Sequence, residues 1–203
     1  MDDVAPRLSL ATPPLTEAAG FAPALNEALA AGDIASLLIR FAGADDRANE
    51  TIVRALAPAA QEKDVAVLVA ASPNVALRAG ADGAHVSGCG DALAEAIKKL
   101  SPRYIVGAGE VETRDDAMRV GEAGADYVMF SDRDTAALIE RVAWWAELFN
   151  TPCVARAATL AAIAPLVQAG ADFILLDDAV WSDARGPAAA VAEAQARLNG
   201  EGK

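Results

Sequence analysis

Arg40, Arg133 and Arg156 each stand at or just past the end of a short aliphatic run, and so do Glu110, Asp132, Asp177 and Asp178. Guanidinium groups offer forked donors that match a phosphate or a carboxylate. Carboxylates at such positions serve as acid, base or metal ligand. The chain has one histidine, His85, and it lies inside an aliphatic run; an imidazole is the side chain suited to proton transfer near neutral pH. Ser87 and Ser131 close two of the runs. Taken together, the catalytic candidates are His85, Asp132 and Asp177, and the substrate-binding candidates are Arg40, Ser87, Glu110, Ser131, Arg133, Arg156 and Asp178. Each has a competing structural role. An Arg or Asp in a loop serves equally as half of an ion pair, and His85 as a hydrogen-bonded core residue. Gly107 and Gly109 form only a GxG, which lacks the rest of a dinucleotide fingerprint. Cys89 and Cys153 make no CxxC pair and no metal-ligand spacing with His85.

The elements that must position these residues follow from a repeat. Ala79-Gly80-Ala81-Asp82, Ala123-Gly124-Ala125-Asp126 and Ala169-Gly170-Ala171-Asp172 each close an alanine-rich stretch and open a short apolar run. A weaker copy, Ala31-Gly32-Asp33, precedes Ile34 to Arg40. Gly takes the left-handed conformation that ends a helix, and Asp suits the turn. A continuous apolar run is expected of a strand buried on both faces. Further runs at Leu8–Ala11, Val65–Ala70, Tyr104–Ala108 and Cys153–Ala155 bring the total to eight strands, each followed by a helical pattern. Alternation of strand and helix implies parallel pairing with right-handed crossovers. Eight such units predict a compact (β/α)8 TIM barrel, one α/β domain over residues 1–203. In that fold chemistry belongs to the end where strands run into βα loops, and the Ala-Gly-Ala-Asp copies fall at the opposite, structural end.

Composition narrows the partners. The chain has 203 residues, 54% of them hydrophobic and only 5% aromatic, so the core is built from small aliphatic side chains. A net charge of -12 repels nucleic acid. No run reaches the ~18 apolar residues of a membrane span, and the acidic start Met1-Asp2-Asp3-Val4 lacks the pattern of a secretory signal. Two isolated cysteines fit reduced thiols. A cytoplasmic protein acting on a small molecule, without membrane or nucleic acid, is expected.

Gly80-Ala81-Asp82-Gly83-Ala84-His85-Val86-Ser87 resembles the strand-four segment of thiamine phosphate synthases and their TenI relatives. Leu37-Leu38-Ile39-Arg40, Gly124 to Phe130, Pro152 to Ala155 and Phe173 to Val180 resemble further segments of that family, in the same order. The resemblance implies a compact barrel, a homodimer, and a transferase of the thiamine-phosphate diphosphorylase type, or a related isomerase, that uses Mg2+ in thiamine biosynthesis.

 Adjacent Trp144 and Trp145 point about 100° apart on a helix, so one of them is free to leave the core and offer the same homodimer contact.

The sequence departs from the family's pattern at several positions. The strand-two Gln falls on Leu38 and the Lys on Ala42, leaving Arg40. The metal-binding Asn-Asp pair falls on Ala70 and Ala71, and the second metal Asp is matched by Asp91 only with a one-residue insertion. The strand-five Ser falls near Gly109, and Ser131-Asp132-Arg133-Asp134 replaces the threonine-lysine segment that holds diphosphate. The phosphate-cradling Gly-Gly falls on Ala157 and Ala158, and the catalytic His of the TenI subgroup falls on Asp132. Without those groups nothing obvious neutralises a leaving diphosphate. The expectation is therefore a thiamine phosphate synthase-like barrel that binds a small phosphorylated or carboxylated metabolite at its C-terminal rim. The alternative is a non-catalytic, homo-oligomeric partner protein of the same fold.

Overall fold

The computed structural model describes residues 5–70 and 72–201. The start Met1 to Val4, one of the two alanines at the expected metal positions (Ala71) and the last two residues of the tail lie outside the described residues. Eight parallel strands close into a barrel in sequence order. They are β1 (Arg7–Ala11), β2 (Ile34–Ile39), β3 (Ala66–Val69), β4 (Gly83–Ser87), β5 (Ile105–Gly109), β6 (Tyr127–Phe130), β7 (Cys153–Arg156) and β8 (Phe173–Leu176). The crossover helices are α1 (Ala22–Leu29), α2 (Asp46–Gln61), α3 (Pro73–Ala79), α4 (Asp91–Leu100), α5 (Arg114–Glu122), α6 (Thr135–Leu148) and α7 (Ile163–Gln168), and α9 (Pro187–Leu198) closes the ring against α1. One α-helix departs from the simple alternation. A single turn, α8 (Asp178–Trp181), sits between β8 and α9. Its Trp181 indole N–H donates to the Ala11 carbonyl at 2.6 Å, which ties the turn to the end of β1. Among the described residues no helix is long and apolar enough to cross a membrane.

The repeat is a stitch at the N-terminal end of the barrel. Gly80, Gly124 and Gly170 adopt φ of 79°, 88° and 96°, a region open to glycine at little steric cost. The Asp two residues on then clasps the preceding strand at two points. The Asp82 carboxylate accepts from the Val67 N–H at 2.7 Å, while its own N–H donates to the Val67 carbonyl at 2.7 Å. Asp126 does the same with Val106, and Asp172 with Cys153. These carboxylates satisfy strand-end donors that would otherwise lack partners.

Two apolar layers result. Leu8, Leu10, Leu37, Ile39, Val67, Val69, Val106, Val128 and Phe130 point outward into the shell between strands and helices. A smaller plug of Ala11, Leu38, Leu68, Met129, Val154 and Leu175 fills the middle of the barrel. Leu38 and Leu175 form the floor of a cavity at each mouth, about 450 Å³ at the C-terminal rim and about 330 Å³ at the N-terminal end. Trp145, on the buried face of α6, is fully enclosed, and its indole donates to the Thr151 carbonyl at 2.7 Å. Trp144 is only partly buried, beneath the Arg114 guanidinium 4.8 Å from its ring.

Candidate functional site

The C-terminal cavity is built from strand ends. Arg40 follows β2, His85 and Ser87 lie on β4, Glu110 follows β5, Ser131 follows β6 and Arg156 ends β7; all six line it. The structure thus brings together six of the ten candidates. Strand alternation explains why: residues two apart face the same way, so His85 and Ser87 both point inward.

Asp177 stands behind this wall rather than in it. It is 2% exposed, and one oxygen, Oδ2, accepts from Arg156 Nε at 2.9 Å and Nη2 at 2.6 Å. The same oxygen lies 3.2 Å from Arg40 Nη1. Arg40 is held a second time, through its Nε to the Thr12 carbonyl. A buried carboxylate is costly unless paired and hydrogen-bonded, and two guanidiniums meet that need here. Two positive groups over one negative leave an excess of positive charge on this side of the wall, which the Glu110 carboxylate on the same cavity offsets.

Inside the barrel, between His85 of this cavity and Tyr127 of the N-terminal one, lies a different chemistry. His85 and Tyr127 sit in register on either side of Gly107, across β4, β5 and β6. Their side chains meet at 2.8 Å between His85 Nδ1 and the Tyr127 oxygen. Gly107 makes this possible, because a Cβ there would overlap the Tyr127 ring. A Cβ on Gly109 would stand 2.8 Å from His85 Nε2 and 2.7 Å from Met129 Cε. The GxG of β5 therefore makes room for side chains inside the barrel. Burial pushes the His85 imidazole down to about 4, so it is neutral at physiological pH. Burial also drives the Tyr127 phenol well above its ordinary range, with the Asp126 charge adding to the effect.

The other candidates go elsewhere. Asp132 accepts from Arg141 Nη2 at 2.9 Å and from the Asp134 N–H at 3.0 Å, so it is occupied by its own loop. With Arg133, Ser131, Arg156 and Ala158 it borders an adjoining cavity of about 450 Å³. Asp178 is exposed at the start of α8 and lines neither cavity. Tyr127 and Glu95 are additions to the sequence-derived set. Tyr127 was findable from register, since it occupies an inward position of β6 two residues before Met129. Glu95 lines the cavity from α4, which no strand-end rule would reach.

The residues present do not fit a protein-held magnesium ion. Among the described residues no group of three His, Cys, Asp or Glu converges on a cation position. The cavity's carboxylates are Glu95 and Glu110, and Glu95 is paired with Lys99 at 2.6 Å. Asp91 is exposed at the start of α4, and Ala70 offers no ligand side chain. The Ala157 N–H, at the first position of the expected phosphate cradle, is already donated to the Leu175 carbonyl at 2.9 Å.

Comparison with known proteins fixes the ancestry. The family model for thiamine monophosphate synthase matches residues 9–180. The chain belongs to this family. Thiamine-phosphate synthase of Rhodospirillum centenum is 41% identical over 196 residues, covering 92% of this chain and 95% of its own length. The corresponding protein of Hyphomonas neptunium is 37% identical over 199 residues, covering 91% and 90%. Among solved structures, thiamine phosphate pyrophosphorylase from Pyrococcus furiosus superposes with a TM-score of 0.84 at 23% identity, covering 98% of each chain. A 3-hexulose-6-phosphate synthase from Salmonella typhimurium gives 0.71 at 18% identity, covering 96% of this chain and 99% of its own. At those identities the two structures speak to the fold alone.

Proposed function

We propose that this member of the thiamine monophosphate synthase family binds a small phosphorylated or carboxylated metabolite at its C-terminal rim, in the cytoplasm, without the family's diphosphate-releasing transfer. The observation that carries the reading is the pair Arg40 and Arg156, both held by buried Asp177 and both facing one cavity. Guanidiniums fixed in this way are oriented before the ligand arrives, which lowers the entropy cost of binding an anion. That no three His, Cys, Asp or Glu side chains converge on a metal position among the described residues supports the second half of the reading, because a departing diphosphate needs its charge neutralised.

Thermal melting against a panel of phosphorylated and carboxylated metabolites tests the binding. A ligand at 100 times its Kd adds ~2.7 kcal/mol, a rise in Tm of about 5–10 °C for a chain of this size. No shift with any member of the panel would remove the reading. Turnover of the two thiamine precursors with magnesium tests the chemistry, and thiamine phosphate formed above the enzyme-free rate would overturn that half.

A homodimeric, non-catalytic partner protein is the second reading. It rests on α6, where Leu148 is 62% exposed beside the partly buried Trp144. Light scattering of Leu148→Glu reads it. A mass that falls by half supports the dimer, and an unchanged mass removes this surface.

A further inference from the structure

The His85–Tyr127 contact has a chemical consequence at the cavity. A neutral imidazole carries one donor and one acceptor nitrogen, and which is which follows from the partner. Among the described residues, His85 Nδ1 is the protein group within hydrogen-bond reach of the Tyr127 phenol. If the phenol donates to Nδ1, the phenolic hydrogen and Nδ1 are both satisfied and the ring proton sits on Nε2. The opposite tautomer leaves the phenolic hydrogen without a protein acceptor, at the cost of an unmade bond. His85 is 7% exposed, and Nε2 makes no hydrogen bond to the protein among the described residues. No fully buried side-chain polar atom among them is left without a partner. Nε2 is therefore reached from the cavity that His85 lines.

We infer that Tyr127 is a positioning residue that holds His85 as the Nε2–H tautomer, which gives the rim cavity a neutral hydrogen-bond donor for the bound anion. The inference rests on the reading of the rim as an anion site. The two kinds of donor divide the work. Arg40 and Arg156 supply charge, while His85 supplies direction without adding charge. Its low proton affinity keeps it neutral beside the charged groups of the same cavity, Arg40, Arg156, Glu95 and Glu110. Gly107 and Gly109 belong to the device, since side chains there would displace Tyr127 and the imidazole.

The single histidine makes the test direct. Protein labelled with 15N-histidine is observed by long-range 1H–15N correlation between pH 5.5 and 8, alone and with inorganic phosphate. The expected spectrum shows Nδ1 as the unprotonated, acceptor nitrogen and Nε2 as the protonated one across that range. Tyr127→Phe is expected to convert it to a tautomer mixture, and phosphate to move the Nε2 resonance. His85→Gln is expected to weaken phosphate about tenfold. A proton found on Nδ1 in the unaltered protein overturns the inference, whatever the variants do. Phosphate that raises Tm but leaves Nε2 unmoved removes the donor role and leaves the rim reading standing. Absence of any phosphate effect on Tm or spectrum overturns the donor role for phosphate, and the metabolite panel then decides the rim reading separately.

Discussion

Arg156 donates through Nε and Nη2 to a single oxygen of Asp177, at 2.9 and 2.6 Å, and that oxygen is also the one nearest Arg40. Asp177 therefore orients the two guanidiniums from behind the cavity wall. Replacing it with Asn keeps the shape and removes the charge. Asp177→Asn is expected to cost about 1–3 kcal/mol, towards the lower end because the Arg156 side chain stays partly solvated. In a chain of this length that lowers Tm by about 2–4 °C for each kcal/mol. An unchanged Tm in scanning calorimetry would mean that the triad contributes nothing to the fold.

Gly107→Ala tests the packing inside the barrel. The added methyl overlaps the Tyr127 ring, which must shift from its place against His85 to admit it. Overpacking of this kind costs typically ~1–3 kcal/mol. Gly43→Ala is the control, because nothing lies within 4 Å of its Cβ position, and a change within about ±0.5 kcal/mol is expected there. Urea unfolding of both variants decides it; equal midpoints would contradict the assigned role of Gly107.

The clasp at the N-terminal end predicts a loss of stability without a loss of ligand. Asp126→Ala leaves the Val106 N–H without its carboxylate, and Asp172→Ala does the same to Cys153. Each is expected to cost about 1–3 kcal/mol. Both lie at the mouth opposite the rim cavity, so ligand affinity should stay within about twofold. A variant that keeps its stability but loses ligand would reverse the assignment of the two barrel ends.

These clasps also show how far the sequence can be read. Gly80, Gly124 and Gly170, each followed by Ala-Asp, announced the turns because left-handed backbone and strand-end donors restrict residue choice locally. The eight strands and the closed barrel followed from that regularity. Strand ends likewise placed Arg40, His85, Ser87, Glu110, Ser131 and Arg156 at one rim. The pairing within the rim was not legible. Whether Asp177 faces the cavity or lies behind two arginines depends on side-chain direction at the end of β8, which no spacing encodes. Asp132 looked equally available, yet its oxygens are taken by Arg141 and its own loop. Gly107 and Gly109 read as a fragment of a nucleotide motif, because the side chains that need their space come from β4 and β6.

Stability should depend on pH through His85. Its folded value is lowered from 6.5 to about 4 by burial. Between those values the unfolded chain binds the proton and the folded chain does not, so stability falls as pH drops from about 6.5 to 4. Above 6.5 the contribution is complete, and it amounts to about 3 kcal/mol. Urea unfolding at intervals from pH 4 to 7 should show that decline, and His85→Gln should flatten it. Asp183, held down at about 2 by Arg185, titrates below this window, while Glu95 and Glu193, lowered from 4.5 by Lys99 and by Arg197 with Arg185, add to the decline only at its lower end. An equally steep decline in His85→Gln would assign it to other groups.

The claim that two arginines held by Asp177 bind the anion is tested most directly by calorimetric titration. The phosphorylated or carboxylated compound giving the largest rise in Tm is titrated into the unaltered protein, Arg40→Ala, Arg156→Ala and, as a control remote from the rim cavity, Arg54→Ala. The account predicts that each of the first two variants binds at least about tenfold more weakly, the scale of one charge-assisted hydrogen bond, and that the control binds as the unaltered protein does. Full affinity retained in both Arg40→Ala and Arg156→Ala would contradict it.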